Sequence, residues 1–504
     1  MDAPLGLTID APVTAISLRR RYLQAAIYSS IGNVLSRVFT GIVPIILARH
    51  LSTRDFGIYS LAMSFLYMLA GLSPLGQQTA LQHFLPHYAV KDRERGGKLF
   101  ANTVILVPSS ILMLALSTFI LSDAAARTIY HDPALAGVIR FATLLLLSAG
   151  LLNLGASAAL GFQDTKAYSL SLIVRSVLLL GLSWFGVRVA GLYGALAAQL
   201  IAGAVAVVIL AQAALRAARS RFSGSLRPSF DRTMLQETFS FAIPSVLAAI
   251  LVSPANWWAN TVLARSFGLE QVGIFGTCLL LSQIVVIVPS GLSAPAVSFL
   301  SEVHADRSRI RFSELTSMNI RLTWAVGLPV CFLCATAGPY MIPALFGQRY
   351  TVSSGAILAM SFSSLLTVIT SGLGAGIMGA GRMWAFLGLT SIWLFCFVCL
   401  GSVLAPLMGA LGLGLTYFAS YLLSACAMWR YLSVRTCGPI VGLGSVALLT
   451  VTALVASVIL VVCLPALRCA SVGAVLTVAL VGVEYLWVVD ANERRAVARV
   501  LKLA

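Results

Sequence analysis

Apolar runs of about 20 residues follow one another along almost the whole chain, each bounded by charge or by Gly and Pro, and each is long enough to cross a bilayer as a helix. The pattern predicts fourteen such helices. Six fall at 27–47, 57–76, 99–121, 138–160, 168–189 and 192–215, and six more at 241–263, 272–292, 322–343, 356–379, 384–405 and 408–428. A last pair falls at 441–464 and 470–489. The predicted fold is therefore an all-α polytopic membrane protein.

The spans repeat. Leu47-Ala48-Arg49 followed by Gly57-Ile58-Tyr59 returns as Leu263-Ala264-Arg265 and Gly273-Ile274-Phe275, 216 residues later. Gly194-Ala195-Leu196 matches Gly409-Ala410-Leu411 at an offset of 215. The chain divides into residues 1–216, residues 217–436 and an added pair of helices in 437–504. Six spans per unit is an even number, so both units enter the membrane from the same side, as a parallel repeat with a pathway expected between them.

Composition sharpens this. With 59% hydrophobic and only 10% charged residues, a water-soluble fold is excluded. A net charge of +17 would suggest a nucleic-acid partner in a soluble protein; here it reports topology. With the N-terminus placed inside, 23 of the 34 Lys and Arg residues fall in inner segments and 8 in outer ones, so both termini are expected in the cytoplasm. Arg19-Arg20-Arg21 is an inner anchor for the first helix rather than an export signal, since no small-residue cleavage site follows. All nine cysteines lie between Cys278 and Cys469, mostly within apolar runs, and read as buried thiols.

Catalytic motifs do not gain support. Gly374, Gly376 and Gly379 spell Gly-x-Gly-x-x-Gly inside an apolar helix, where close helix packing is the expected role. No phosphate-binding loop is present, so bound ATP is not expected to drive this chain. Cys331-x-x-Cys334 and Cys396-x-x-Cys399 sit among Phe, Leu and Val, and no metal or cofactor is expected. Charge within the spans is more informative, because a central Arg costs roughly 2.5–3.5 kcal/mol to insert and turns toward protein or water. Arg37 lies mid-span, and Ser29, Asn33, Arg37 and Thr40 form one polar stripe at helical spacing, predicted to face a cavity. The offset of 216 places Ser253 and Asn256 at the equivalents of Arg37 and Thr40, with Asn260 one turn on, giving a second stripe that would face the first. Arg37 either contacts an anion or locks helices through a neighbouring carbonyl; Arg175 either lines the same lumen or snorkels inward. The one acid clearly at membrane depth, Glu484, is in the added pair. This balance favours an anionic substrate over a cationic drug.

Ser36-Arg37, Leu47-Ala48-Arg49-x-Leu51, Gly57-Ile58-Tyr59-Ser60 and Phe241-x-x-Pro244, in this order across residues 20–435, resemble the polysaccharide transporters, the O-antigen and exopolysaccharide flippases, of the multidrug/oligosaccharidyl-lipid/polysaccharide exporter superfamily. The resemblance implies two six-helix lobes in a V around a central cavity. It also implies alternating access that moves an undecaprenyl-pyrophosphate oligosaccharide across a bacterial inner membrane, drawing at most on a proton or sodium gradient. In that setting Arg37 would hold the diphosphate, and Asn33, Asn256, Asn260 and Gln283 would offer groups to the sugars. Membrane lipid, a polysaccharide polymerase and chain-length proteins would be partners. Where related lipid II flippases carry Arg-Asp, this chain has Val43-Pro44, which argues against the peptidoglycan precursor as cargo. The added pair resembles the extra spans that form a tail groove in some relatives. A membrane polymerase or ligase would need a large outer loop, and the longest outer connection, 122–137, is short; a drug exporter would have the fold but the opposite charge.

Overall fold

The computed structural model describes residues 15–51, 76–124, 135–222, 226–229, 231–346, 352–437 and 443–487, with isolated positions between 55 and 70; several side chains at 253–274 and those at 483–487 are outside this set. Among the described residues every regular element is helical: α1 (Ala15–His50), α2 (Gln77–Lys91), α3 (Arg93–Ile120), α4 (Leu135–Gly161), α5 (Thr165–Arg221), α6 (Arg232–Ser293), α7 (Ala296–Ala305), α8 (Arg309–Phe346), α9 (Ser354–Gly379), α10 (Met383–Leu432), a π turn (Ser433–Cys437), α11 (Leu443–Cys463) and α12 (Ala466–Trp487). Nine helical stretches among the described residues are long and apolar enough to cross a membrane. The segment 57–76 lies largely outside the described residues.

Two of those stretches cross twice. α5 breaks at Gly191 (φ 53, ψ −127) and α10 at Gly409 (φ 59, ψ −131), backbone angles that L side chains rarely adopt. At each break the chain reverses so tightly that a Cβ on Gly194 would lie 1.9 Å from the Gly186 carbonyl oxygen, and one on Gly412 would lie 1.9 Å from that of Leu404. The two hairpins correspond at an offset of 218, which replaces the offset of 215 read from matching Gly-Ala-Leu strings. Replacing Gly412 by Ala is expected to destabilise the fold by about 3 kcal/mol or more, because backbone must move to admit the methyl. Gly388→Ala, in the same helix with nothing within 4 Å, should be neutral or slightly stabilising; thermal unfolding of the purified variants checks both.

The ends of α4 and α9 repeat at the same offset. Phe162, Gln163 and Asp164 N–H donate to the carbonyls of Ala158, Leu160 and Ala159, and Ala380, Gly381 and Arg382 donate to those of Gly376, Met378 and Ile377. Both are Schellman terminations with one left-handed residue, Gln163 (φ 58) or Gly381 (φ 75). Asp164 then caps α5 by accepting from the Ala167 N–H.

Two hydrophobic clusters fill the first half, one around Leu81, Phe100, Ile111 and Phe162, the other around Leu47, Leu145, Leu179 and Leu196. A third fills the second half and also takes in Leu18, Tyr22 and Ala26 from the start of α1. The helices of the added pair pack on α8, where Trp324 Nε1 donates to Thr450 Oγ1 at 2.9 Å and Gly473 lies against Thr336. The chain direction places the start of α1, the α2–α3 joint, the α4–α5 and α9–α10 turns and the end of α5 at one end of the bundle. Arg19 to Arg21, Lys91, Arg93, Lys166, Arg216 and Arg382 stand there, and it is called the basic end below.

Candidate functional site

The two halves meet at the basic end through a seal built twice. On one side Ser29 Oγ donates to the Gly291 carbonyl at 2.6 Å and Ser30 Oγ to that of Val288 at 3.3 Å; a Cβ on Gly291 would lie 2.6 Å from Ser30 Cα. On the other, Thr79 Oγ1 donates to Ser245 Oγ at 2.7 Å, and a Cβ on Gly76 would lie 2.3 Å from the Ala242 carbonyl oxygen. Ala242 and Ser245 stand 216 residues after Ala26 and Ser29, so each half presses the same part of its first helix onto a glycine of the other. Small residues let the backbones approach this closely.

Below the seal lies a polar lock. Arg21 donates to Glu302 Oε1 at 3.2 Å and to Gln163 Oε1 at 2.6 Å, while Gln163 Nε2 donates to Glu302 Oε2. Tyr22 OH donates to Asn319 Oδ1 at 2.6 Å, and Ser301 Oγ donates to the His83 carbonyl. Gln163 holds a left-handed conformation that a non-glycine residue adopts at a cost of about 1 kcal/mol or more, and its side chain joins a first-half cation to a second-half acid. Sequence reasoning read Arg21 only as part of an inner anchor and passed over Gln163, Glu302 and Asn319; the one visible signal is that Glu302 is an acid at a strongly basic end.

Beyond the seal the halves part. Arg37 comes seven residues, two helical turns, after Ser30 on the same face of α1, yet it is exposed where Ser30 is buried. In the C-terminal part of α6, Ile284 and Leu280 lie two and three turns before Gly291 on the same helix face and are 43% and 59% exposed; Gln283 is exposed beside them. Helical register carries both sealed faces on into exposed positions, the pattern of a cleft closed at the basic end, with Arg37 roughly 10 Å beyond Ser30 along α1. The apolar exposed face of the same helix, Tyr28, Ile31, Leu35, Val38 and Ile42, points the other way. α1 thus has a lipid side and a cleft side.

The predicted stripe divides. Arg37 faces the cleft; Asn33 and Thr40 are half-buried at its edge; Ser29, expected in the cavity, is instead consumed by the seal. Asn33 Nδ2 donates to the Ser29 carbonyl at 2.9 Å, and Tyr168 of α5 lies beside Asn33 and Arg37. Among the described residues Arg37 has no acidic partner. Arg175 is half-buried and its Nε has no hydrogen-bond partner. α1 and α5 run parallel, with Gly32 against Ser169 and His50 against Arg188, so Arg37 and Arg175 stand about one residue apart in depth. The side chains of Ser253, Asn256, Asn260 and Glu484 lie outside the described residues. Trp258 packs on Phe397 and Gly401 within the second half.

His83 sits in the lock, on α2 beyond the predicted span, stacked on Phe241 at 4.6 Å. Burial, with His87 and His304 nearby, pushes its imidazole down to about 3. Lys91 and Arg382 add positive charge around His87 and His304, and Glu302 serves Arg21 on the other side of the lock. A state with the basic end parted returns His83 toward the ordinary value near 6.5. The sealed state therefore keeps its full stability above about pH 6.5 and loses it as pH falls below that, because the parted state binds the extra proton. Acidification from pH 7.5 to 5 is expected to shift the equilibrium toward the parted form by up to about thirtyfold. Spin labels on α2 and α7 read this distance; His83→Gln should reduce the shift, with the remainder carried by His87 and His304, which burial lowers as well.

The profile of the family described as polysaccharide biosynthesis protein matches residues 46–355. The EPS I polysaccharide export inner membrane protein EpsE of Ralstonia solanacearum is 23% identical over 411 residues, 80% of this chain and 92% of that protein. Among solved structures, MATE in the bent conformation has a TM-score of 0.72 at 16% identity, covering 88% of this chain and 100% of that one. A MOP superfamily transporter from Pyrococcus furiosus, described as having a binding pocket of reverse polarity, has a TM-score of 0.69 at 16% identity over 83% of this chain. These two likenesses establish the fold.

Proposed function

Because the chain belongs to the polysaccharide biosynthesis protein family, as the match over more than half its length shows, we propose that it is an inner-membrane flippase that carries an undecaprenyl-pyrophosphate oligosaccharide to the outer leaflet by alternating access. The name of the Ralstonia relative supports polysaccharide export and the inner membrane. The observation that carries the reading is Arg37, exposed mid-span two turns beyond the seal and, among the described residues, without an acidic partner. The positive-inside rule assigns the basic end to the cytoplasm, which makes this an outward-open state with both termini inside.

In the mechanism, the residues 1–216 and 217–436 rock about the cleft. When the seal parts, cargo enters from the cytoplasmic leaflet and its diphosphate meets the Arg37 guanidinium, whose fork donates two parallel hydrogen bonds to phosphate oxygens. Arg175, one residue away in depth, adds a second positive charge, and Asn33, Thr40 and Gln283 offer donors and acceptors to the sugars. Ser253, Asn256 and Asn260 are proposed for the facing wall. Closing the two small-residue seals and remaking the Arg21–Gln163–Glu302 lock then presents the cargo outward. A proton or sodium gradient drives the cycle, and a polymerase with its chain-length proteins receives the product.

Proteoliposomes containing the protein and a lipid-linked oligosaccharide test this. Saccharide should become accessible to an external glycosidase only with the protein present. Equal exposure in empty liposomes, or protection of the saccharide together with efflux of a cationic dye, would move the function to the drug-exporter reading.

A further inference from the structure

A second concavity lies on the opposite side of α1 from the cleft. It has a volume of about 940 Å³ and is lined by Tyr28 and Ile31 of α1, by Lys166, Leu170 and Ile173 at the start of α5, and by Ile209, Gln212 and Arg216 near its end. This volume is in the range of ligand sites. We infer that it is a binding site for an anionic glycerophospholipid of the leaflet at the basic end, with the phosphate between Lys166 and Arg216 and an acyl chain along Ile31, Leu170, Ile173 and Ile209.

The polarity gradient carries the assignment. Lys166 is the second residue of α5, and Ile173 lies seven residues, about 10 Å, deeper along the helix; Arg216 and Ile209 are separated by the same seven residues on the returning leg. Both walls therefore change from cationic to aliphatic in the same direction, along the membrane normal, over the length that separates a headgroup from its chains. Tyr28, Ile31 and Leu170 are 40%, 46% and 53% exposed and belong to the apolar outer face of α1 and α5, so the concavity opens sideways to lipid.

Charge selects the headgroup. Lys166 Nζ sits 5.4 Å from the centre of the Tyr28 ring, which holds the ammonium at the rim without neutralising it. Arg216 is exposed and, among the described residues, has no acidic partner. Asp164, the third charged lining residue, has one oxygen engaged by the Ala167 N–H at 3.0 Å as the cap of α5. The rim keeps a net charge of about +1, which suits a monoanionic phosphodiester. Basic pockets between helices on a cytoplasmic face bind phospholipid headgroups in this way. The site is separate from the cleft and does not depend on the identity of the cargo.

Native mass spectrometry of the detergent-purified full chain, titrated with phosphatidylglycerol or phosphatidylcholine, tests the inference. Wild-type protein should retain phosphatidylglycerol in preference. Lys166→Gln with Arg216→Gln should weaken that retention by about thirtyfold, a few-fold for each cation, and leave phosphatidylcholine adducts unchanged. Lys166→Arg with Arg216→Lys should restore it, and the charge-matched pair Arg227→Gln with Arg232→Gln, outside the concavity, should not alter it. Undiminished phosphatidylglycerol retention in the Gln double variant would overturn the site. So would an equal loss of both lipids, or displacement of phosphatidylglycerol by equimolar undecaprenyl diphosphate, which would reassign the concavity to the cargo.

Discussion

Arg37→Ala is expected to lower export of the saccharide by a hundredfold or more while the protein remains folded and at normal abundance in the membrane. The two halves of that expectation come from different physics. Hydrogen bonds to a charged group contribute about 1.5–3 kcal/mol each, and a guanidinium makes two to a phosphate, so losing the fork removes several kcal/mol of cargo binding. Stability moves the other way, because Arg37 is exposed and, among the described residues, has no acidic partner, and removing a mid-span Arg relieves roughly 2.5–3.5 kcal/mol of insertion cost. Arg37→Lys keeps the charge but not the planar fork and should recover part of the activity. A variant that exports normally would show that the cleft cation does not touch cargo; one that disappears from the membrane would show that Arg37 is structural.

Gly291→Ala is the second large effect, and it acts on the cycle rather than on the cargo. The added methyl would stand 2.6 Å from Ser30 Cα and 3.1 Å from Ser30 N, which are backbone atoms that cannot rotate aside. The seal on the α1 side then cannot close, and transport should fall more than tenfold with the cleft held open toward the basic end. Gly276→Ala is the internal control: it lies on the same helix, a Cβ there meets nothing within 4 Å, and it should be neutral. A cysteine placed at Ser30 should react with an impermeant maleimide from the cytoplasmic side in the Gly291→Ala background and stay protected in the parent. Equal protection in both would mean the helices slide past the methyl and the seal is not the closing element.

How much of this was legible in the sequence differs by physical cause. Spans announce themselves because a bilayer demands about 20 apolar residues, and α3, α4, α8, α9 and α11 fall where the pattern placed them. The repeat was legible in Leu-Ala-Arg and Gly-Ile-Tyr, but its register at the sixth span was not: Gly-Ala-Leu strings are common in packed helices, and only the positive φ of Gly191 and Gly409 identifies the true equivalents. Arg37 stood out in the sequence because a charge in the middle of a span needs a reason. Ser29 was misassigned, since a hydroxyl at helical spacing looks the same whether it faces water or donates to Gly291, 262 residues away. The Arg21–Gln163–Glu302 lock was not legible for the same reason: it exists only once two distant helix ends are brought together, and an acid at a basic end does not name its partners.

The most direct test of the central claim is the distribution of the lipid-linked saccharide between leaflets in cells with and without the protein, read with an impermeant labelling reagent. The account requires completed repeat units to accumulate on the inner leaflet when the protein is absent, with surface polymer lost and both restored by the wild-type chain but not by Arg37→Ala. Unchanged leaflet distribution in its absence, with altered tolerance to cationic compounds, would contradict it.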